Sequence, residues 1–179
     1  MKNKVSKVFF FLIFLFLLGS CIQQEGIGFT VALTPNQINS QLQKYFPLEQ
    51  ELKIGKIILK DPQIISIGKE DKINLGLSFA YKVPLLPTVK GKIAVAGGVK
   101  YNPEKKALFL KSPELKDFEV FNRRVPSLLS AEGERLFKDV ISYIFDRVPI
   151  YKFDEKSIYG RFVKDIQVKE GKILITFGI

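Results

Sequence analysis

A chain of 179 residues with 46% hydrophobic content is large enough for a single domain with a substantial core. It carries 28 Lys and Arg against 18 Asp and Glu, a formal charge of +10, with one cysteine and no histidine. The lone cysteine excludes an internal disulfide, and the missing histidine removes the usual general base and the commonest zinc ligand.

The chain begins with an export signal. Residues 1–20 join a cationic start (Lys2, Lys4, Lys7) to an apolar run from Val8 to Leu18 that ends in small residues. The run is about eleven residues, short of the ~20 that span a bilayer, which disfavours a permanent transmembrane helix. Leu18, Gly19 and Ser20 stand before Cys21, an order that resembles the lipobox of bacterial lipoproteins. That resemblance implies cleavage before Cys21 and acylation of its thiol, and two or three acyl chains hold a protein at a membrane essentially permanently. Ile22, where a retention signal would place Asp, favours the outer membrane by the enterobacterial sorting rule, with the body on the periplasmic side. Losing the three signal lysines leaves 25 cations against 18 acids, a mature excess of +7. Export separates such a chain from nucleic acid and brings it to anionic lipid headgroups. A solvated surface rich in Lys and Glu is the plainer account of the same charge.

Residues 21–29 read as a lipidated tether, with two glycines and no periodicity, and residues 30–179 as one domain. The domain opens with a helix entry. Thr34 is placed as N-cap, Pro35 at the first helical position, Gln37 completes a capping box, and Leu33 and Ile38 form a staple. Ile38, Leu42, Tyr45 and Phe46 give this short helix one apolar stripe, and Pro47 ends it.

From 52 to 121 the period changes to two. Ile73, Leu75, Leu77, Phe79, Tyr81 and Val83 alternate with polar or small residues, which predicts an antiparallel sheet with one wet face. The PLLP stretch at 84–87 turns the chain, and Val89, Ile93, Val95, Val99 and Tyr101 resume the alternation. Gly91 and Gly97 share that apolar face, leaving room for the strand to bend or for a helix or ligand to come close. After a turn at 102–105, the apolar phase slips at Pro113, which marks a bulge, and 52–60 has a similar slip around Gly55.

Residues 127–148 are predicted as one long helix of roughly 30 Å. Leu129, Gly133, Leu136, Phe137, Val140, Ile141, Tyr143, Ile144 and Val148 fall on a face spanning roughly 160°. A face that wide needs wrapping. Phe145 falls among the polar positions, either exposed or covered by another segment. Beyond Pro149 more strand material leads to a hairpin turn at Glu170 and Gly171, then Ile173, Ile175, Phe177 and Ile179 in alternation. The predicted fold is α+β: a highly curved antiparallel sheet wrapped around one long helix, plus a short N-terminal helix.

No glycine-rich phosphate loop and no G-x-S-x-G elbow occurs, and the adjacent acids Glu70-Asp71 and Asp154-Glu155 read as solvated turns. The expectation is therefore no enzyme, no catalytic residue, no metal and no cofactor. The candidate site is an apolar groove between Leu77, Phe79, Tyr81, Ile93 and Val95 on the sheet and Leu136, Val140 and Ile144 on the helix, suited to a lipid. Simple core packing is the plainer reading of these stripes.

The strings LTPNQINSQL, IILKDPQI, YNPEKKALFLKSPELKDFEV, SYIFDRVPIY and IQVKEGKILITFGI, taken with Cys21, together resemble the YceB-like bacterial lipoproteins, a family of uncharacterised function. That family in turn resembles a single module of the tubular lipid-binding (TULIP, or BPI-like) superfamily, which implies a curved sheet around a helix and apolar ligands between them. The resemblance carries over no functional residue except Cys21. The expected protein is a membrane-anchored periplasmic lipoprotein binding a lipid or other amphipath. The alternative is a structural or interaction lipoprotein with a filled interior, docking onto an envelope assembly through its basic surface.

Overall fold

The computed structural model describes residues 28–121, 131–154 and 162–178, with the side chains of 131–134 and 136 outside that description. Cys21 and the signal lie outside it, as do Leu129 and Glu155.

The described chain forms two antiparallel sheets. A three-stranded sheet has the order β1 (Gly28–Leu33), β9 (Lys172–Gly178), β8 (Val163–Lys169). A six-stranded sheet runs β2 (Leu48–Glu51), β3 (Lys56–Lys69), β4 (Lys72–Lys82), β5 (Val89–Asn102), β6 (Ala107–Val120) and β7 (Tyr151–Lys152). Helix α1 (Pro35–Leu42) continues into a 3₁₀ turn at Gln43–Tyr45, and α2 is Ala131–Phe145.

Local chemistry explains most of these elements. On β4 every odd residue from Ile73 to Phe79 is buried and every residue between is not, the period-two pattern of a strand with one covered face. Glu70 and Asp71 both adopt left-handed φ, 56° and 55°, which closes the β3–β4 hairpin with the twist its strands need. Glu170 and Gly171 do the same between β8 and β9. At the predicted slip, Ser112 has φ of 48° and the β5–β6 register shifts between Ala96 and Gly98, so β6 bends at a bulge. Gln37 caps α1 by accepting the Thr34 backbone N–H at 2.9 Å, and Ile38 and Leu42 are fully buried. Asn39 on the same helix accepts the Ile64 N–H at 2.8 Å and so fastens α1 to β3.

The wrapped-helix expectation is overturned. Neither sheet closes, and α2 has fifteen residues, about 22 Å at 1.5 Å per residue, not the long axis of a rolled sheet. It runs down β6 instead. Phe137 lies at Phe118, the Ser142 hydroxyl at the Pro113 carbonyl, and the Ile150 N–H after the helix donates to the Leu108 carbonyl. The physical reason is that a wide apolar face reports covering from several directions, and layered packing covers as well as wrapping does. The buried arc is also rotated from the predicted one. Phe137, Val140, Ile141, Ile144 and Phe145 are buried, whereas Tyr143 is 47% exposed under the Arg147 guanidinium.

Two strands go beyond the prediction. β1 occupies Gly28 and Phe29, read as tether, and pairs along its whole length with β9. Gly55, read as a slip within one strand, is the turn between β2 and β3, with φ of 83°.

Candidate functional site

The predicted groove residues come together, but as one packed core. Leu77, Phe79, Ile93 and Val95 are buried on β4 and β5, and Val140 and Ile144 are buried on α2. Tyr81 is half-buried at the edge, its hydroxyl donating to the Ile54 carbonyl. Leu136 belongs to α2, and its side chain is outside the described residues. Between helix and sheet the space is taken by three rings. Phe79 stacks on Phe118 at 5.2 Å, and Phe137 meets both edge-on at 5.1 and 4.8 Å. Gly91 makes this possible, because a Cβ there would lie 2.5 Å from the Phe79 ring. The room left by that glycine is filled by the protein's own side chain.

One recess on the surface is basic. A cleft of about 580 Å³ is lined by Tyr45, Glu104, Lys105, Lys106, Arg147 and Lys152, with Ala107, Phe109 and Pro149 as its apolar part. Four elements build it, the 3₁₀ turn at Gln43–Tyr45 supplying Tyr45. The β5–β6 turn supplies Glu104, Lys105 and Lys106. Asn102 stabilises that turn by accepting the Lys105 N–H at 2.9 Å, and Lys106 has φ of 46°. Lys105 Nζ lies 5.4 Å from the centre of the Phe109 ring. The exit of α2 supplies Arg147, whose guanidinium sits 3.6 Å over Tyr143 and donates to the Tyr143 carbonyl at 3.1 Å. β7 supplies Lys152 and is fixed by its pairing with Ala107 and Leu108 and by the Phe153 N–H donating to the Lys106 carbonyl at 3.0 Å.

The lining includes four cationic residues and one acidic one. Ammonium, guanidinium and phenol groups all donate hydrogen bonds, so the cleft suits an anion with several acceptor oxygens. No thiol or imidazole is present in the lining to act as nucleophile or base. Sequence reasoning missed this cluster because its members come from four separated segments. The Lys105-Lys106 pair in a turn was the one local sign.

The cleft lies at the end of the body where the chain enters. Phe153, bonded to Lys106, packs against Phe177 at 5.8 Å, and Phe177 stacks on Phe29 at 5.1 Å, one residue from Gly28.

Of the predicted acids, the first pair lies in a turn. Glu70 and Asp71 form the exposed β3–β4 turn, and Asp154 is exposed. Among the described residues no three acids converge as a metal site, and no helix is long and apolar enough to cross a membrane.

Residues 33–172, which include every residue of the basic cleft, match a family described as a protein of unknown function (DUF1439). No curated protein matches the chain.

Proposed function

The chain belongs to the DUF1439 family, and we propose that it is a YceB-like envelope lipoprotein that binds the anionic headgroup of a lipid or other amphipath. In this reading acyl chains on Cys21 hold it at the periplasmic face of the outer membrane, and no reaction is catalysed. The observation that carries it is the cleft of Lys105, Lys106, Arg147 and Lys152 at the end where the tether leaves. The seven residue-to-residue steps from Cys21 to Gly28 reach at most about 24 Å at ~3.4 Å each, which keeps this end near the bilayer. There each basic side chain gains about 1 kcal/mol from an anionic surface, within a Debye length of about 8 Å. The lipid binding suggested by the tubular lipid-binding superfamily is kept in this reading, with the headgroup at the cleft and the core left to its own rings.

The test is native mass spectrometry of the full lipidated chain, purified in detergent from cells that make their own lipids, then delipidated and reloaded. Phosphatidylglycerol and phosphatidylcholine are compared on the wild type and on the Lys105→Glu, Lys152→Glu double variant. Stoichiometric retention of the anionic lipid, lost in the variant, is expected. A mass without lipid that refuses reloading, or equal retention by the variant, refutes headgroup binding at the cleft.

A further inference from the structure

The opposite end of the body is apolar where the tethered end is basic. Nine large hydrophobic residues are exposed among the described residues, and four of them gather at this end: Ile54 at 65%, Leu85 at 104%, Leu86 at 60% and Phe121 at 56%. The sheet register puts them together. Lys56 pairs with Lys82 just past the β2–β3 turn, and Tyr81 pairs with Val89 at the base of the β4–β5 turn. The Phe121 N–H donates to the Lys90 carbonyl at 2.9 Å. The β4–β5 turn is stiff. Pro84 and Pro87 bracket it, the Leu86 N–H donates to the Val83 carbonyl at 3.2 Å, and Leu85 is held at φ of 65°, a left-handed conformation unfavourable for leucine. The turn thus spends backbone strain to hold an apolar side chain fully in solvent.

A collar of lysines surrounds this tip. Lys53, Lys82, Lys90 and Lys92 are exposed, and residues 83–89 contain no charge at all. Of the acids near the tip, Glu49 pairs with Lys56 at 2.6 Å, Glu51 lies opposite Lys56, Glu119 lies opposite Lys92, and Asp117 lines the same groove as Lys92. Lys56 and Lys82 are direct cross-strand neighbours, a like-charge pairing that works against the sheet. Exposed leucines on a rigid turn, ringed by lysines, match an interface with an apolar interior and an anionic skin.

We propose that this tip is a second lipid contact, inserting Leu85 and Leu86 into the headgroup region of the same anionic bilayer that holds the acyl chains. β5 alone, fourteen residues at ~3.3 Å each, separates the tip from the basic cleft by about 45 Å. The body therefore lies along the membrane with lipid contacts at both ends. An anchored chain meets its own bilayer at high effective concentration, which selects that surface over a facing one. The own-bilayer assignment rests on the anchoring proposed above, whereas the lipid affinity of the tip stands on the tip itself.

The chain contains no tryptophan, so Leu86→Trp installs a single fluorescent reporter at an exposed position. The full lipidated variant is reconstituted on vesicles of phosphatidylethanolamine and phosphatidylglycerol, with brominated lipid either in those vesicles or only in added protein-free ones. A blue-shifted emission quenched by bromine in the anchoring vesicles is expected, lost on adding Leu85→Asp and weakened by Lys82→Glu with Lys90→Glu. Quenching only from the added vesicles refutes the own-bilayer assignment. Emission that stays red and open to aqueous acrylamide, or that is shielded without any bromine quenching, refutes lipid contact, the shielded case pointing to a protein partner. Co-sedimentation run beforehand reports the anchor separately. If the chain carries no acyl groups, the same brominated vesicles mixed with it still decide the tip.

Discussion

Replacing Gly91 by alanine tests whether the space between α2 and the six-stranded sheet is filled. The added Cβ would lie 2.0 Å from the Glu119 carbonyl oxygen and 2.5 and 2.7 Å from two carbons of the Phe79 ring. The carbonyl belongs to a β5–β6 ladder and cannot swing aside, so the strand must shift and the ring must leave its place. Overpacking of this kind costs about 1–3 kcal/mol. Phe79 also loses its contacts with Phe118 and Phe137, each worth about 0.5–1.5 kcal/mol, which brings the expected loss to about 2–6 kcal/mol. Gly98 on the same strand is the control. Its nearest neighbour would be the Lys111 Cβ at 3.7 Å, an ordinary contact, so Gly98→Ala is expected to change stability by less than about 1 kcal/mol, in the stabilising direction. Urea unfolding followed by far-UV circular dichroism measures both. If Gly91→Ala proves as stable as Gly98→Ala, Phe79 has somewhere to go, and an internal ligand groove is restored as a reading.

The rotation of α2 is checked by a pair of truncations: Phe145→Ala, at a fully buried position, is expected to cost about 3–5 kcal/mol. Tyr143→Ala, which loses only an exposed stacking contact with Arg147, should cost about 0.5–1 kcal/mol in the same urea assay. Asn39→Ala deprives the Ile64 N–H of its acceptor and is expected to cost about 1–3 kcal/mol, with hydrogen exchange at Ile64 accelerating first. Tyr101 carries the one buried side-chain oxygen without a hydrogen-bond partner among the described residues, and burial pushes its phenol above the usual tyrosine value of 10.0. The folded state holds that proton more tightly than the unfolded chain does. Its contribution is whole below the unfolded value and is lost as pH climbs through the folded one. Tyr101→Phe should therefore be neutral or stabilising at pH 7 and should flatten the alkaline edge of a thermal-stability profile, and a steeper edge would contradict this.

Local signals were legible in the residues themselves. The alternation from Ile73 to Phe79, the capping pair Thr34 and Gln37, the bulge at Ser112 and Pro113, and the turn at Glu170 and Gly171 all depend on near neighbours. β1 was missed because Phe29, Val31 and Leu33 alternate over only six residues and run straight into the helix entry, its place being set by pairing with β9, some 145 residues away. The exit of α2 and the β6–β7 pairing bring Arg147 and Lys152 beside Lys105, so the cleft exists only once long-range contacts form. VPLLP declares itself as a turn, yet only the register of β3, β4 and β5 shows that its leucines share one end with Ile54 and Phe121.

By itself the sequence determined the strand periodicities, the turns and the breadth of apolar surface on α2. The tertiary structure decided how that surface is covered. Breadth counts the apolar area to be removed from water, and two open sheets remove it as well as a rolled one. The choice between them lies in contacts such as Gly91 under Phe79, which no local pattern encodes.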